Sequence, residues 1–471
     1  MIRYTGNPFV DAGVAALEYR LKKHVEHIDE RDLADQAKAL EKEYNRKVWR
    51  SYLTVHFPNC AWVQPNIRPE KKREYIDKVL WSHKSGKLER ACAFCGRPAN
   101  TLADRSHVPL LTGETTMVAG AGGEPGLPVC GLCLLAIHFY PLATLKVAGR
   151  PLFWWVAEPF WMRHLTRRFC QQVEKILSAS TDEFTNLRWP STQLLHAARD
   201  VLDEVENENI PLEDRPPLCD IIGVHATNYG AGPDYGELRI PRGLLEFWAE
   251  AGTFRDLYRQ IEREAWEIEK PKSAKGKGKK AQKPEPSPIL TELNRRNRLY
   301  EALGNAFRSP DYGEEAKHVA VRFFLRARGR SVPPNTTALA EFFLEKVAGM
   351  EKERLEAIRE MADSIAEDLI LSKRDTHVAW GLFRSRLKKL SDFLQQLSRI
   401  QRKLGEAGHP LTWEKVILAL GLSSDDDRTS SDHWLVQELI VIRLYERLAK
   451  SDALAELPET QEKDAIPELE Q

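Results

Sequence analysis

Cys92 and Cys95 form one Cys-x-x-Cys pair, Cys130 and Cys133 form a second, and 34 residues separate the two. Each pair turns two thiolates inward from one tight loop, and two such loops supply the four soft ligands of a tetrahedral zinc site. The spacing predicts a structural Zn2+ held by Cys92, Cys95, Cys130 and Cys133, around which the intervening chain must fold. A closed four-thiolate site leaves no coordination position for water, so such a metal staples a loop and activates no nucleophile. Disulfides and plain burial are the alternatives. The chain opens Met-Ile-Arg-Tyr-Thr-Gly with no signal-peptide pattern, which predicts a cytoplasmic protein, where disulfides are rare. Cys60, Cys170 and Cys219 are unpaired in sequence and read as small buried apolar residues.

A chain of 471 residues has room for two or three domains, and its 42% hydrophobic and 29% charged content fits a soluble fold. No apolar run reaches 18 residues; the nearest approach, Val129 to Leu145, is interrupted by cysteines, His138 and Pro141 and predicts a buried helix and its exit. The net charge of zero hides an asymmetry. Ser451 to Gln471 carries seven acidic residues against one lysine, a solvated acidic tail, so the rest of the chain is +6. That excess is compatible with nucleic acid without demanding it.

Lys270 to Pro288 is lysine-rich with almost nothing to bury, and predicts a flexible basic linker. The expected division is therefore an N-terminal domain over 1–269 containing the zinc module 92–133, the linker 270–288, a helical bundle over 289–450 and the tail 451–471. The fold class expected is an α+β N-terminal region followed by an all-α C-terminal domain. In the first part, short apolar runs such as Leu53 to Phe57 and Pro151 to Val156 alternate with helical stretches such as Leu33 to Tyr52. Phe153, Trp154, Trp155, Phe160 and Trp161 read as core or a domain contact in preference to a base-stacking platform. In the second part, helices are expected at about 290–307, 314–328, 337–371, 376–405, 412–420 and 430–450.

On a helical wheel over 376–405, Phe383, Leu387, Leu390, Leu394, Leu397 and Leu404 share one side. Arg384, Lys388, Arg399 and Arg402 share the other, a cationic stripe. Lys317, Arg322, Arg326, Arg328 and Arg330 form a second basic run, and together the two suggest a phosphate-facing side. Such stripes also occur as merely solvated faces. Gln64, Asn66 and Arg68, followed by Lys71, Lys72 and Arg73, put amide groups able to read bases beside phosphate anchors, with a solvated turn as the alternative. The glycine-rich 119–123 stretch has no Lys-Ser or Lys-Thr after it and is a poor phosphate cradle.

Several stretches resemble the large subunit of type I CRISPR surveillance complexes (Cascade), in the branch with paired Cys-x-x-Cys motifs found mostly in subtype I-B. They are Tyr4-Thr5-Gly6-Asn7-Pro8-Phe9-Val10-Asp11-Ala12-Gly13, the zinc-loop interior Arg105 to Glu114, and Gly126-Leu127-Pro128-Val129-Cys130-Gly131-Leu132-Cys133-Leu134-Leu135-Ala136-Ile137, with a weaker match at Leu53 to Asn59. The likeness covers about the first third of the chain; beyond Arg150 only the layout agrees. It implies a non-catalytic antiviral subunit that recognises the protospacer-adjacent motif (PAM), helps unwind target DNA in the R-loop, and holds the displaced strand, while guide RNA pairing reads sequence. Implied partners are target DNA, CRISPR RNA with the backbone and small subunits of Cascade, and a helicase-nuclease or transposition adaptor. The resemblance also makes plausible a separate small subunit made from an internal start at Met350 or Met361.

The competing reading is a zinc-stapled HNH-like nuclease using His107, which lies between the cysteine pairs in His-Val-Pro-Leu, with His138 five residues after Cys133 as a second metal ligand. Such a site needs an Asn between that histidine and the second pair, and Val108 to Val129 contains none. A zinc-stapled transcription factor is disfavoured by the lack of a compact helix-turn-helix context.

Overall fold

In the computed structural model, residues 1–111, 126–179, 183–208, 215–227, 234–267, 288–384, 387, 389–422 and 432–456 are described, apart from the side chains of Ile289 and Arg384. The chain runs through α1 (Pro8–Leu21), α2 (Glu30–Tyr44), α3 (Lys47–His56), α4 (Pro69–Ile76), β1 (Thr101–Ala103), β2 (Leu127–Val129) and α5 (Gly131–Phe139). There follow β3 (Leu145–Val147), β4 (Arg150–Trp155), α6 (Pro159–Ala179), α7 (Pro190–Asn207), β5 (Ile221–Thr227), β6 (Asp234–Ile240), α8 (Arg242–Glu250) and α9 (Arg255–Glu264). The remainder is helical: α10 (Pro288–Leu293), α11 (Arg298–Ala306), α12 (Tyr312–Val319), α13 (Thr336–Lys346), α14 (Lys352–Ser364), α15 (Thr376–Ala379), α16 (Gly381–Arg384), α17 (Leu390–Glu406), α18 (Trp413–Leu420) and α19 (His433–Leu448).

The chain divides into two compact units, 1–242 with 266–304 and 243–265 with 305–471. This corrects the expected cut at 270–288: composition marked where the chain has nothing to bury, but not which unit its flanks join. Segment 266–304 returns to the first unit because Thr192 of α7 donates from N and Oγ1 to Glu301 at 2.8 Å each, and Gln193 Nε2 donates to Leu293 O at 2.7 Å. Segment 243–265 joins the second because Phe247 packs on Phe343 (5.3 Å between centroids) and Phe342 (5.5 Å). Residues 268–287 and the tail beyond 456 lie outside the described residues.

All strands of the described residues lie in the first unit, so the mixed-then-helical order expected from sequence is present. β3, β4, β5 and β6 form an antiparallel sheet in that order, with Phe153 opposite Val224 and Leu238 opposite Gly223. The Pro151–Val156 run falls on β4 as far as Trp155, and its Phe153 and Trp154 are core residues, packed against Tyr140 and Phe169 respectively. Leu53–His56, in contrast, ends α3, where Trp49, Tyr52, Leu53 and His56 recur at helical spacing and are all buried. The Leu33–Tyr52 stretch is two helices broken at Asn45–Arg46.

Among the described residues of the second unit every regular element is a helix. The helix expected over 376–405 is broken. Gln437 of α19 donates to Leu382 O and accepts from Leu387 N (2.9 Å each), and His433 Nε2 bonds Leu387 O at 3.0 Å. These side chains take backbone groups that a continuous helix would pair internally. α17 buries Phe393, Gln396, Leu397, Ile400 and Leu404. Met350 and Met361 are both buried, Met361 within α14. No helix among the described residues is long and apolar enough to cross a membrane.

Candidate metal centre and nucleic-acid surface

The two cysteine pairs are brought together by backbone pairing. At Cys92, Gly96 N donates to Cys92 O (2.9 Å) and Cys92 N to Arg97 O (2.6 Å), a tight turn that Gly96 closes at φ +73°. Cys130 directly follows β2, which pairs with β1 through Thr101–Val129 and Ala103–Leu127, and Ala93 N donates to Pro128 O at 2.9 Å to sew the first turn to the same strand. Cys130 is also the N-cap of α5, its Sγ accepting from Cys133 N at 3.4 Å.

The four ligand sulfurs lie within 4.8 Å of one another, with Cys95 and Cys130 3.5 Å apart. A tetrahedral ion with bonds of about 2.3 Å needs sulfur–sulfur edges of about 3.8 Å, so the set fits a structural metal site. The sulfurs also need a cation. Hydrogen bonds from Cys130 and Cys133 hold the Cys92 thiol well below its usual range, while hydrogen bonding to Cys130 and Cys92 pushes Cys133 far up. Four thiolates this close cannot all ionise without positive charge between them. Arg97 adds some, donating from Nε to Cys95 Sγ at 3.3 Å.

The N-terminal signature is built onto this centre. Asn7 caps α1 by accepting from Phe9 N and Val10 N (3.1 and 3.2 Å), and Asp11 accepts from Thr5 N and Gly6 N (2.7 and 3.0 Å). α1 then crosses α5 so closely that a Cβ on Gly13 would sit 1.8 Å from Ala136 O. On the other side of α5, a Cβ on Gly131 would lie 2.0 Å from His83 N. Arg3 Nη2 donates to Cys95 O at 2.6 Å.

His107 is buried at the end of the turn after β1, its Nδ1 2.6 Å from Asp104 Oδ1. Burial pushes the Asp104 carboxyl up, but the His107 and Ser106 hydrogen bonds outweigh it and hold the group well below the carboxylate range. His138, fully buried on α5, donates from Nδ1 to Leu134 O (2.9 Å), presents Nε2 to Tyr75 OH at 3.3 Å, and stacks on Phe57. Burial pushes its pKa down to about 3, so the ring is neutral. Tyr75 of α4 ties the cluster together, donating to Ser106 O at 2.6 Å and stacking on His107 at 5.4 Å. Among the described residues, the cysteines are the one group of three or more His, Cys, Asp or Glu placed to hold a metal. Sequence reasoning missed Asp104 and Tyr75. The Asp-x-x-His spacing was a local signal for the first, whereas the second depends on contacts across the fold.

The nucleic-acid candidates fall into distinct settings. Gln64, Asn66, Arg68 and Lys71 are exposed on and before α4, although Gln64 Nε2 donates to Asn59 O at 2.7 Å. Lys72 donates to Asn45 Oδ1 at 2.7 Å, and Arg73 pairs with Asp77 and Glu41. Lys317 is held inside by Asp432 and Glu314 at 2.7 Å each, so it adds no outward charge. Arg326 pairs with Glu264 at 2.6 Å, while Arg328 is tied to Glu438 and Arg322 lies over the Phe323 ring. Arg399 and Arg402 are exposed on α17 and form no ion pair among the described residues. Arg384 belongs to α16 and so is not on the α17 stripe; its side chain, Lys388 and Ala119–Gly123 lie outside the described residues.

No protein-family model, curated protein or solved structure matches the chain.

Proposed function

We propose that the protein is the non-catalytic large subunit of a type I CRISPR RNA-guided surveillance complex, with zinc as the staple of its N-terminal unit. The observation that carries this reading is the union of the resembling segments: the Tyr4–Gly13 signature and the Gly126–Ile137 signature pack on one another at Gly13 and Ala136, beside the four cysteines. Residues that suggest the family are thus the ones that seat α1 on the metal-bearing helix. Gln64, Asn66, Arg68 and Lys71 form the exposed candidate for duplex contact, and Arg399 and Arg402 the candidate for the displaced strand.

The nuclease reading is less favoured because His107 is turned onto Asp104 and His138 onto Leu134 and Tyr75. Coexpression with the products of neighbouring genes and a CRISPR RNA, purified through another subunit, tests the proposal. The full chain is expected to copurify with RNA and to bind duplex targets with a preference for a short flanking motif. A folded, metal-replete chain that stays out of any RNA-containing complex and binds without flanking preference refutes it. DNA cleavage with magnesium or manganese that disappears in His107→Ala would favour the enzyme.

A further inference from the structure

A cavity of about 390 Å³ opens in the first unit between α1 and α6, within the range of roughly 300 to 1,000 Å³ that small-molecule sites occupy. From α1 it takes Ala15, Glu18 and Tyr19, whose spacing puts them on one helix face, and just beyond its end the C-cap residue Lys22. From α6 it takes Arg163, His164 and Arg167. Lys23 and His24 complete the rim.

The charges of this wall are unequally satisfied. Lys23 pairs with Asp32 at 2.8 Å, and Arg167 with Glu204 and Glu208 at 3.1 Å each; His164 also faces Glu208. Glu18, the one acid in the wall, is buried and engaged, accepting from Tyr4 OH and, at 2.7 Å, from Val25 N. The side chains of Lys22 and Arg163 form no hydrogen bond or ion pair among the described residues, although the Lys22 backbone N–H caps α1 by donating to Glu18 O, and Arg163 is half-buried. Lys22 also holds a left-handed backbone (φ 53°, ψ 37°) where α1 ends, a position that suits glycine and is unfavourable for a residue with a side chain. The left-handed lysine that caps α1 and the arginine of α6 line one cavity.

We propose that this cavity binds a phosphorylated nucleotide, with Arg163 and Lys22 holding the phosphate and the Tyr19 ring and Ala15 providing apolar wall for the sugar or base. The inference rests on the surveillance-subunit reading only for the source of the nucleotide, a strand end or a free nucleotide. Calorimetric titration of the full chain at low salt with a nucleoside 5′-monophosphate, the unphosphorylated nucleoside and inorganic phosphate provides the test. Binding of the monophosphate is expected, with the nucleoside inert and inorganic phosphate at least tenfold weaker. Arg163→Gln should weaken binding about tenfold. Lys22→Gly should weaken it similarly while the melting temperature stays constant or rises, since glycine relieves the strain; a merely structural lysine would not separate these readouts. A 5′-phosphorylated single strand that binds tighter than the mononucleotide, with its 5′-hydroxyl counterpart inert, identifies a strand end; equal affinity identifies a free nucleotide. Absence of monophosphate binding, wild-type affinity in both variants, or inorganic phosphate binding as tightly as the nucleotide overturns the proposal. All readouts use the isolated chain, so they are independent of complex assembly.

Discussion

Gly13→Ala offers the sharpest test of how the N-terminal signature works. In an exposed helix this substitution stabilises, because alanine is a better helix former than glycine by about 1 kcal/mol. At Gly13 the new Cβ would lie 1.8 Å from Ala136 O and 2.5 Å from its carbonyl carbon. Ordinary carbon–oxygen contact is about 3.2 Å, so the two backbones must part by roughly 1.4 Å, far beyond the few tenths of an ångström a packed interior absorbs. Separation would loosen Val10, Val14 and Leu17, all fully buried on α1. Overpacking alone typically costs about 1–3 kcal/mol, to which the loosened contacts add, so a net loss of about 2 kcal/mol or more is expected after the helix gain. Urea unfolding followed by amide hydrogen exchange across α1 and α5 measures it, with zinc release as a second readout. Gly405→Ala in α17, where nothing lies within 4 Å, is the control and should be neutral or slightly stabilising. If Gly13→Ala behaves like that control, the close crossing of α1 and α5 is wrong.

Elemental analysis should find about one zinc per chain, and Cys130→Ser, which removes a ligand and alters the α5 cap, should abolish retention through dialysis; metal-free protein with a folded zinc module would contradict this. Burial pushes both His56 and His138 down to about 3 from 6.5. The unfolded chain therefore binds up to two more protons than the folded unit between those values. Stability of the first unit should be full above about pH 6.5 and fall on acidification, by at most about 2.7 kcal/mol per pH unit; a flat urea midpoint over this window argues against their burial. The second unit should respond oppositely through Glu341, whose carboxyl burial raises to about 7 from 4.5 despite Arg359 and Arg443, with Glu446 and Asp363 adding to the rise. Here the folded state binds the extra proton, so stability falls as pH rises through 7, by an order of 3 kcal/mol at most, and Glu341→Gln should flatten that limb of the urea profile. Replacing Arg399 and Arg402 together with Gln should lower the salt slope of target binding by about two units, one per lost phosphate contact; an unchanged slope means a solvated face.

The parts of the fold that were legible in the sequence are those decided within a few residues. Paired cysteine spacing located the candidate metal centre because a Cys-x-x-Cys turn fixes two sulfurs by local geometry, and Leu397 and Leu404 could be assigned to a buried face because α17 keeps a single period over them. The misreadings involve partners far along the chain. Lys317 looked like surface charge until Asp432, 115 residues away, took it, and the break before α17 is set by Gln437 and His433. The unit boundary moved for the same reason, since Glu301 returns to Thr192 across 109 residues. Gly13 lies between these cases. A glycine in the middle of the apolar first helix is locally unfavourable, and its placement makes sense only through the Ala136 carbonyl on a helix more than a hundred residues later. A local penalty with no local cause is therefore the trace that a nonlocal contact leaves in a single sequence.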